Sequence, residues 1–182
     1  MQIHLFMESS ETKIYISLDL ESPIMNAILP NNTFIIHDLN ELPIHNNFIL
    51  KKIKKFIKTY NEQVPWSESV QINDIFKFIQ DGNDINILMQ DYNFIGWAWQ
   101  NKKIAESMLL EKHQIYTSKL LINKKFLFKK TNKGLLLGWV QEFKKYYKNK
   151  GFTQALAYVD DWNRGVLKSL TKSGYKIKNW NN

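Results

Sequence analysis

Seven consecutive residues, Lys129-Lys130-Thr131-Asn132-Lys133-Gly134-Leu135, carry the clearest chemical signal in the chain. They stand between strand-like residues and an amphipathic helix marked by Leu136, Trp139, Val140, Phe143 and Tyr147. A turn that ends in glycine at a helix start exposes unpaired backbone N–H groups and the positive end of the helix dipole. With lysines around it, such a turn suits a pyrophosphate held by backbone amides; the competing reading is an ordinary basic turn. The common enzyme signatures are missing: there is no Walker loop, no G-x-G-x-x-G, no H-E-x-x-H and no G-x-S-x-G. Cysteine is absent, which removes thiol nucleophiles, disulfides and Cys-ligated zinc. The four histidines, His4, His37, His45 and His113, show no i, i+3 or i+4 pairing, so no metal is expected. Trp97 and Trp99 share one face of a strand and form either an aromatic wall for a flat ligand or core. Asp160 and Asp161 stand where a strand ends, and either attract an ammonium group or cap the next helix.

The elements that position these residues follow from periodicity. Residues 13–20 and Thr33–Ile36 read as strands, with residues 2–7 a candidate partner for the first. Ile53, Phe56, Ile57 and Tyr60 mark one helix; Ile72, Ile75, Phe76 and Ile79 mark a second, with Ser69 as its expected cap. Residues 85–89 and 94–99 form a hairpin around Gln90-Asp91-Tyr92-Asn93. Residues 114–128 are strand-like, residues 152–159 form a strand, a fourth helix starts at Asn163, and residues 175–180 form a last strand. Strands that arrive together in the middle, followed by two strand–helix units, indicate a mixed α/β (α+β) sheet covered by about four helices.

The frame Thr131-Asn132-Lys133-Gly134-Leu135-Leu136, the segments Asn163-Arg164-Gly165-Val166 and Ser173-Gly174-Tyr175, and Phe94-Ile95-Gly96-Trp97 resemble the GNAT family of acetyl-CoA-dependent N-acetyltransferases. The resemblance covers most of the chain from Thr33 onward. It implies a central, mostly antiparallel, splayed sheet, with acetyl-CoA as cosubstrate and a small-molecule amine as acceptor. It assigns Thr131, Asn132, Lys133, Gly134, Leu135 and Leu136 to the pyrophosphate, Asn163 to the pantetheine arm, and the amides of Leu127 and Phe128 to the thioester. Thr131 stands where the family has Arg or Gln, and Leu136 where it has a small residue. Leu170 stands where many members carry a tyrosine that protonates the leaving thiolate. For the base, Glu106 and Tyr116 are candidates acting through water; a solvated carboxylate and a core or rim tyrosine are the alternatives. An amino sugar or sugar nucleotide is the favoured acceptor. A GNAT-shaped protein that binds acyl-CoA without turnover is the rival reading.

The chain's 182 residues allow one domain, read as a strand-containing extension over 1–30 and an acyltransferase domain over 31–182. Residues 1–100 hold 7 Lys against 12 Asp and Glu, while residues 101–182 are net +13. That polarity suits an anionic ligand on the second half and a cationic one on the first. A basic nucleic-acid-binding module is the lesser alternative, because Arg164 is the sole arginine and bidentate contacts need that fork. No run approaches the ~20 apolar residues of a membrane helix, and no signal peptide is evident, so a soluble cytoplasmic protein is expected, with a homodimer left open.

Overall fold

Strand alternation divides the sheet into two faces. The computed structural model describes residues 13–39, 47–65, 68–105, 108–127, 129–132 and 134–178. Within them lie β1 (Lys13–Asp19), β2 (Thr33–Ile36), α1 (Asn47–Gln63), α2 (Ile72–Gln80), β3 (Asp84–Gln90), β4 (Asn93–Asn101) and the short pair β5 (Ile104–Ala105) and β6 (Met108–Leu109). The remainder comprises β7 (Gln114–Ile122), α3 (Lys124–Leu127), α4 (Leu135–Asn149), β8 (Gln154–Asp160), α5 (Arg164–Lys172) and β9 (Lys176–Ile177). Seven strands form one sheet in the order β2-β3-β4-β7-β8-β1-β9. Its neighbours are antiparallel except β7 and β8.

On one face, Ile85, Ile87, Met89, Trp97 and Trp99 pack with Ile53, Phe56, Ile57 and Tyr60 of α1 and Ile75 of α2. On the other, Ile16, Leu18, Ile115, Ala155, Ala157 and Val159 meet Val140, Phe143 and Tyr147 of α4 and Leu170 of α5. Each helix thus buries a stripe at 3.6-residue spacing against a strand face at period two. A buried polar cluster ties β3 to α4. The Tyr147 hydroxyl donates to Asp84 Oδ2 at 3.2 Å, Asn86 Nδ2 donates to the Tyr147 hydroxyl at 2.9 Å, and Lys102 pairs with Asp84 at 2.5 Å. Burial pushes the Asp84 carboxyl up from its ordinary value, and the Lys102 ammonium works against that shift.

Several boundaries differ from the sequence reading. The second helix is capped at Gln71, not Ser69: the Gln71 backbone N–H donates to the Asp74 carboxylate at 2.7 Å. The strand expected over residues 114–128 ends at Ile122, and Lys124–Leu127 turns helical instead. The last strand has two residues and pairs with β1, which lies between it and β8. The first strand's candidate partner, residues 2–7, lies outside the described residues.

Candidate active site

Among the described residues one strand pair is parallel, and it opens a gap in the sheet. β7 and β8 pair from Gln114 with Gln154 through Thr117 with Ala157. Beyond that point β7 runs on to Ile122 and β8 to Asp160 without pairing to each other. The cause lies in β7: Trp97 pairs with Leu121 and Trp99 with Ser118, so Lys119 and Leu120 stand opposite Ala98 alone. This bulge puts Lys119 at a left-handed φ of 47° and turns the strand away from β8. Gly96 permits the close approach on the far side, since a Cβ there would stand 2.8 Å from the Leu121 carbonyl oxygen. Residues 118–122 and 158–160 therefore face a wedge-shaped gap with main-chain groups that no ladder between them satisfies.

Two helix starts flank the open end of that wedge. Leu135 and Trp139 of α4 pack against Ile122, the last residue of β7. On the other side the Asn163 N–H donates to the Asp160 carbonyl at 2.8 Å, which sets α5 directly after β8. Gly134 caps α4 at φ 87°, and a Cβ there would meet nothing within 4 Å. The helix's first bond runs from Gly138 N–H to Gly134 O at 2.8 Å, leaving the amides of residues 135–137 ahead of it. An open glycine, three amides and a helix dipole suit the pyrophosphate of acetyl-CoA.

The predicted loop residues divide by role. Thr131 is exposed. Asn132 is 2 % exposed and braces the turn: its Nδ2 donates to Phe126 O at 2.9 Å and to Gln90 Oε1 at 3.0 Å, and its Oδ1 accepts from Gln90 Nε2 at 2.8 Å. Leu135 is core and Leu136 is half-buried against it. Lys133 and Phe128 lie outside the described residues. Leu127 belongs to α3, past the end of β7, so the strand amides at the gap are those of residues 118–122 instead. The strand ends earlier than the run of residues 114–128 suggests. Asn163 occupies the N-cap of α5, yet its side chain makes no hydrogen bond to the helix start.

Tyr116 is on β7, 4 % exposed, one residue before the last paired position. Its ring stacks on that of Tyr158 at 6.5 Å between centroids. Glu106 lies outside the described residues. Leu170 is buried among Val159, Val140 and Tyr175, so a tyrosine's acid role has no counterpart there. The Tyr175 phenol is pushed well up by burial and hydrogen-bonds Thr117. Trp97 and Trp99 are core, 5.7 Å apart between ring centroids, with Phe56 and Phe78 against them; they form no open wall. Sequence reasoning missed Tyr158, Gln90 and the carboxylates on the α1–α2 side. Glu68, Ser69, Val70, Asp74 and Lys119 line a recess of about 500 Å³ beside the bulge. The alternation of Tyr158 with buried Ala157 and Val159 was the available signal for the tyrosine. Among the described residues no group of three His, Asp or Glu side chains could hold a metal, and no helix is long and apolar enough to cross a membrane.

No family model matches the chain, and no curated protein matches its sequence. Solved structures do match. A GCN5-related glucosamine N-acetyltransferase region of a fungal multi-domain GH3 β-N-acetylglucosaminidase superposes with a TM-score of 0.56 at 11 % identity, over 92 % of this chain. This chain spans about a fifth of that protein's length (20 %). An aminoglycoside acetyltransferase from an uncultured soil metagenomic sample, in complex with trehalose, gives 0.56 at 14 % identity over 79 % of this chain and 88 % of that one. Salmonella typhimurium yncA, with its cofactor acetyl-CoA, gives 0.60 at 11 % identity over 82 % of each chain. The splayed parallel pair, the strand order around it and these superpositions agree: the chain has the GNAT fold of the GCN5-related N-acetyltransferases.

Proposed function

We propose that the protein transfers an acetyl group from acetyl-CoA to a primary amine of a small polar molecule, an amino sugar being the favoured class. The observation that carries this reading is the parallel pairing of β7 and β8 that stops at Thr117 and Ala157. A thioester laid in the gap meets main-chain donors from residues 118–122, where the oxyanion of amine attack needs them. The amides of residues 135–137 take the pyrophosphate, and the Asn163 side chain lies on the far side for the pantetheine amides. Thr131 is exposed beside that loop, and Lys133 precedes Gly134 in the sequence. The amine approaches from the α1–α2 side, where Glu68 and Asp74 line the recess beside Lys119 and favour a cationic molecule. Tyr116 remains a candidate for passing the amine proton to water, and Glu106 a second. Two structural neighbours are described as acting on amino sugars or aminoglycosides, which supports the acceptor class.

Calorimetric titration of acetyl-CoA, followed by acetylation of glucosamine and of kanamycin, tests the proposal. Wild-type protein should bind acetyl-CoA and consume it only with an amine present. Gly134→Asp, which adds bulk and negative charge where phosphate must approach, should weaken binding at least ~10-fold. Equal affinity in the two proteins would remove the α4 turn from the site. Binding without transfer to any amine would favour the acyl-CoA-binding alternative, for which the buried Leu170 is the supporting observation.

A further inference from the structure

The sheet face away from α4 and α5 carries a row of tyrosines across three adjacent strands. Ala155, Ala157 and Val159 of β8 point into the core under α4, so Leu156, Tyr158 and Asp160 point the other way. Tyr158 is the first residue of β8 beyond the parallel pairing, at the apex of the gap. Its ring lies between that of Tyr116 on β7, at 6.5 Å, and that of its register partner Tyr15 on β1, at 6.4 Å. The Tyr116–Tyr158 stack therefore spans the two strands where they part. The Lys13 ammonium sits 4.3 Å from the centre of the Tyr158 ring, and Lys13 is the register partner of Asp160. Tyr158 is half-buried, unlike Tyr175 on the opposite face, which is enclosed by the core.

We infer that Tyr158, stacked on Tyr116 at the apex of the gap with the Lys13 ammonium over its ring, donates the proton to the leaving thiolate. The inference rests on the N-acetyltransferase reading and fills the role that Leu170 cannot. The amine nitrogen attacks the thioester carbonyl carbon, the C–N bond forms, and the C–S bond breaks with its electron pair on sulfur. The Tyr158 hydroxyl proton passes to that sulfur and yields the thiol. The proton lost by the amine goes to water, and a proton from water restores the phenol, so amine and thioester become amide and thiol. The titratable groups around Tyr158 are Lys13 and Tyr15 on β1, Tyr116 on β7 and Asp160 two residues along its own strand.

Hydroxylamine is a suitable probe, because it is neutral near pH 7 and reads acyl transfer without the native acceptor's contacts. With acetyl-CoA and hydroxylamine, wild type should form acetohydroxamate at a rate that falls as pH rises toward the tyrosine range of about 10. Tyr158→Phe keeps the stacked ring and should lower kcat about 100-fold, with acetyl-CoA affinity and melting temperature unchanged and the alkaline limb gone. Lys13→Gln should move that limb to higher pH. 3-Fluorotyrosine incorporated at position 158, which keeps the fold and makes the phenol more acidic, should move it lower. A Tyr158→Phe protein that keeps kcat within about threefold and the same alkaline limb would overturn the assignment while leaving acetyl transfer standing. A kcat loss matched by an equal loss of acetyl-CoA affinity would overturn it as well. Failure of wild type to bind acetyl-CoA and to form acetohydroxamate would instead overturn the transferase reading beneath it.

Discussion

Asn132 and Asn163 are both asparagines at the start of a helix unit, and packing gives them different work. The Asn132 amide is spent on Phe126 O and on the reciprocal pair with Gln90, so it holds the turn rigid and has no free face for a ligand. The Asn163 side chain makes no bond to the start of α5, although its position is that of a cap. Asn163→Ala should therefore lose less than the ~1 kcal/mol that removal of a working cap costs. It should weaken acetyl-CoA binding about 2- to 10-fold, the equivalent of one hydrogen bond to the pantetheine arm. Melting temperature and calorimetric affinity, measured together, decide the matter. A lower melting temperature with unchanged affinity would contradict the binding role. From sequence Asn132 belongs to the pyrophosphate loop and Asn163 to the pantetheine arm; that the first is buried and fully bonded cannot be read without its partners.

At the scale of elements, periodicity placed the helices and strands with strong apolar stripes well. The α4 stripe of Trp139, Val140, Phe143 and Tyr147 and the hairpin of β3 and β4 are where the pattern put them. The β7 bulge was not legible, because one extra residue leaves the apolar character of the strand intact while shifting every later amide. Leu127 falls outside the strand for a separate reason: β7 ends at Ile122, and Lys124–Leu127 is helical. The cover over α4 was equally hidden. Gln141 and Lys144 are polar residues of α4, yet both are buried, since the segment after β1 crosses the helix there. The Met25 N–H donates to Gln141 Oε1 at 2.8 Å, and Lys144 Nζ donates to Pro23 O at 3.1 Å. Gly96→Ala tests the bulge geometry directly. Its methyl group would push on the Leu121 carbonyl, on the strand that borders the gap. A loss of about 1–3 kcal/mol in denaturant unfolding is expected, together with weaker acetyl-CoA binding. Unfolding free energy equal to wild type would show that β4 and β7 do not approach so closely.

The whole molecule divides its charge as its two ligands would require. The second half, net +13, contains both helix starts that flank the gap, and the first half contributes Glu68 and Asp74 to the recess on the other face. That division would suit the proposed meeting of an anionic cosubstrate and a cationic acceptor across one sheet. Raising salt from about 0.05 to 0.5 M should weaken acetyl-CoA binding several-fold, because exposed charges are screened over a few ångströms at the higher value. Affinity independent of salt would assign the lysines to solubility alone. A steep dependence with DNA or RNA but no acetyl-CoA binding would favour the nucleic-acid alternative.

Amide hydrogen exchange of the wild-type protein, with and without acetyl-CoA, tests most directly whether the wedge between β7 and β8 is the acyl-CoA site. The amides of residues 118–122 and of residues 135–137 should exchange more slowly when acetyl-CoA is bound, since in the proposed binding mode the first group faces the thioester and the second the pyrophosphate. The ladder between β2 and β3, remote from the gap, should show no change. Acetyl-CoA that binds and leaves both segments unprotected would contradict the account.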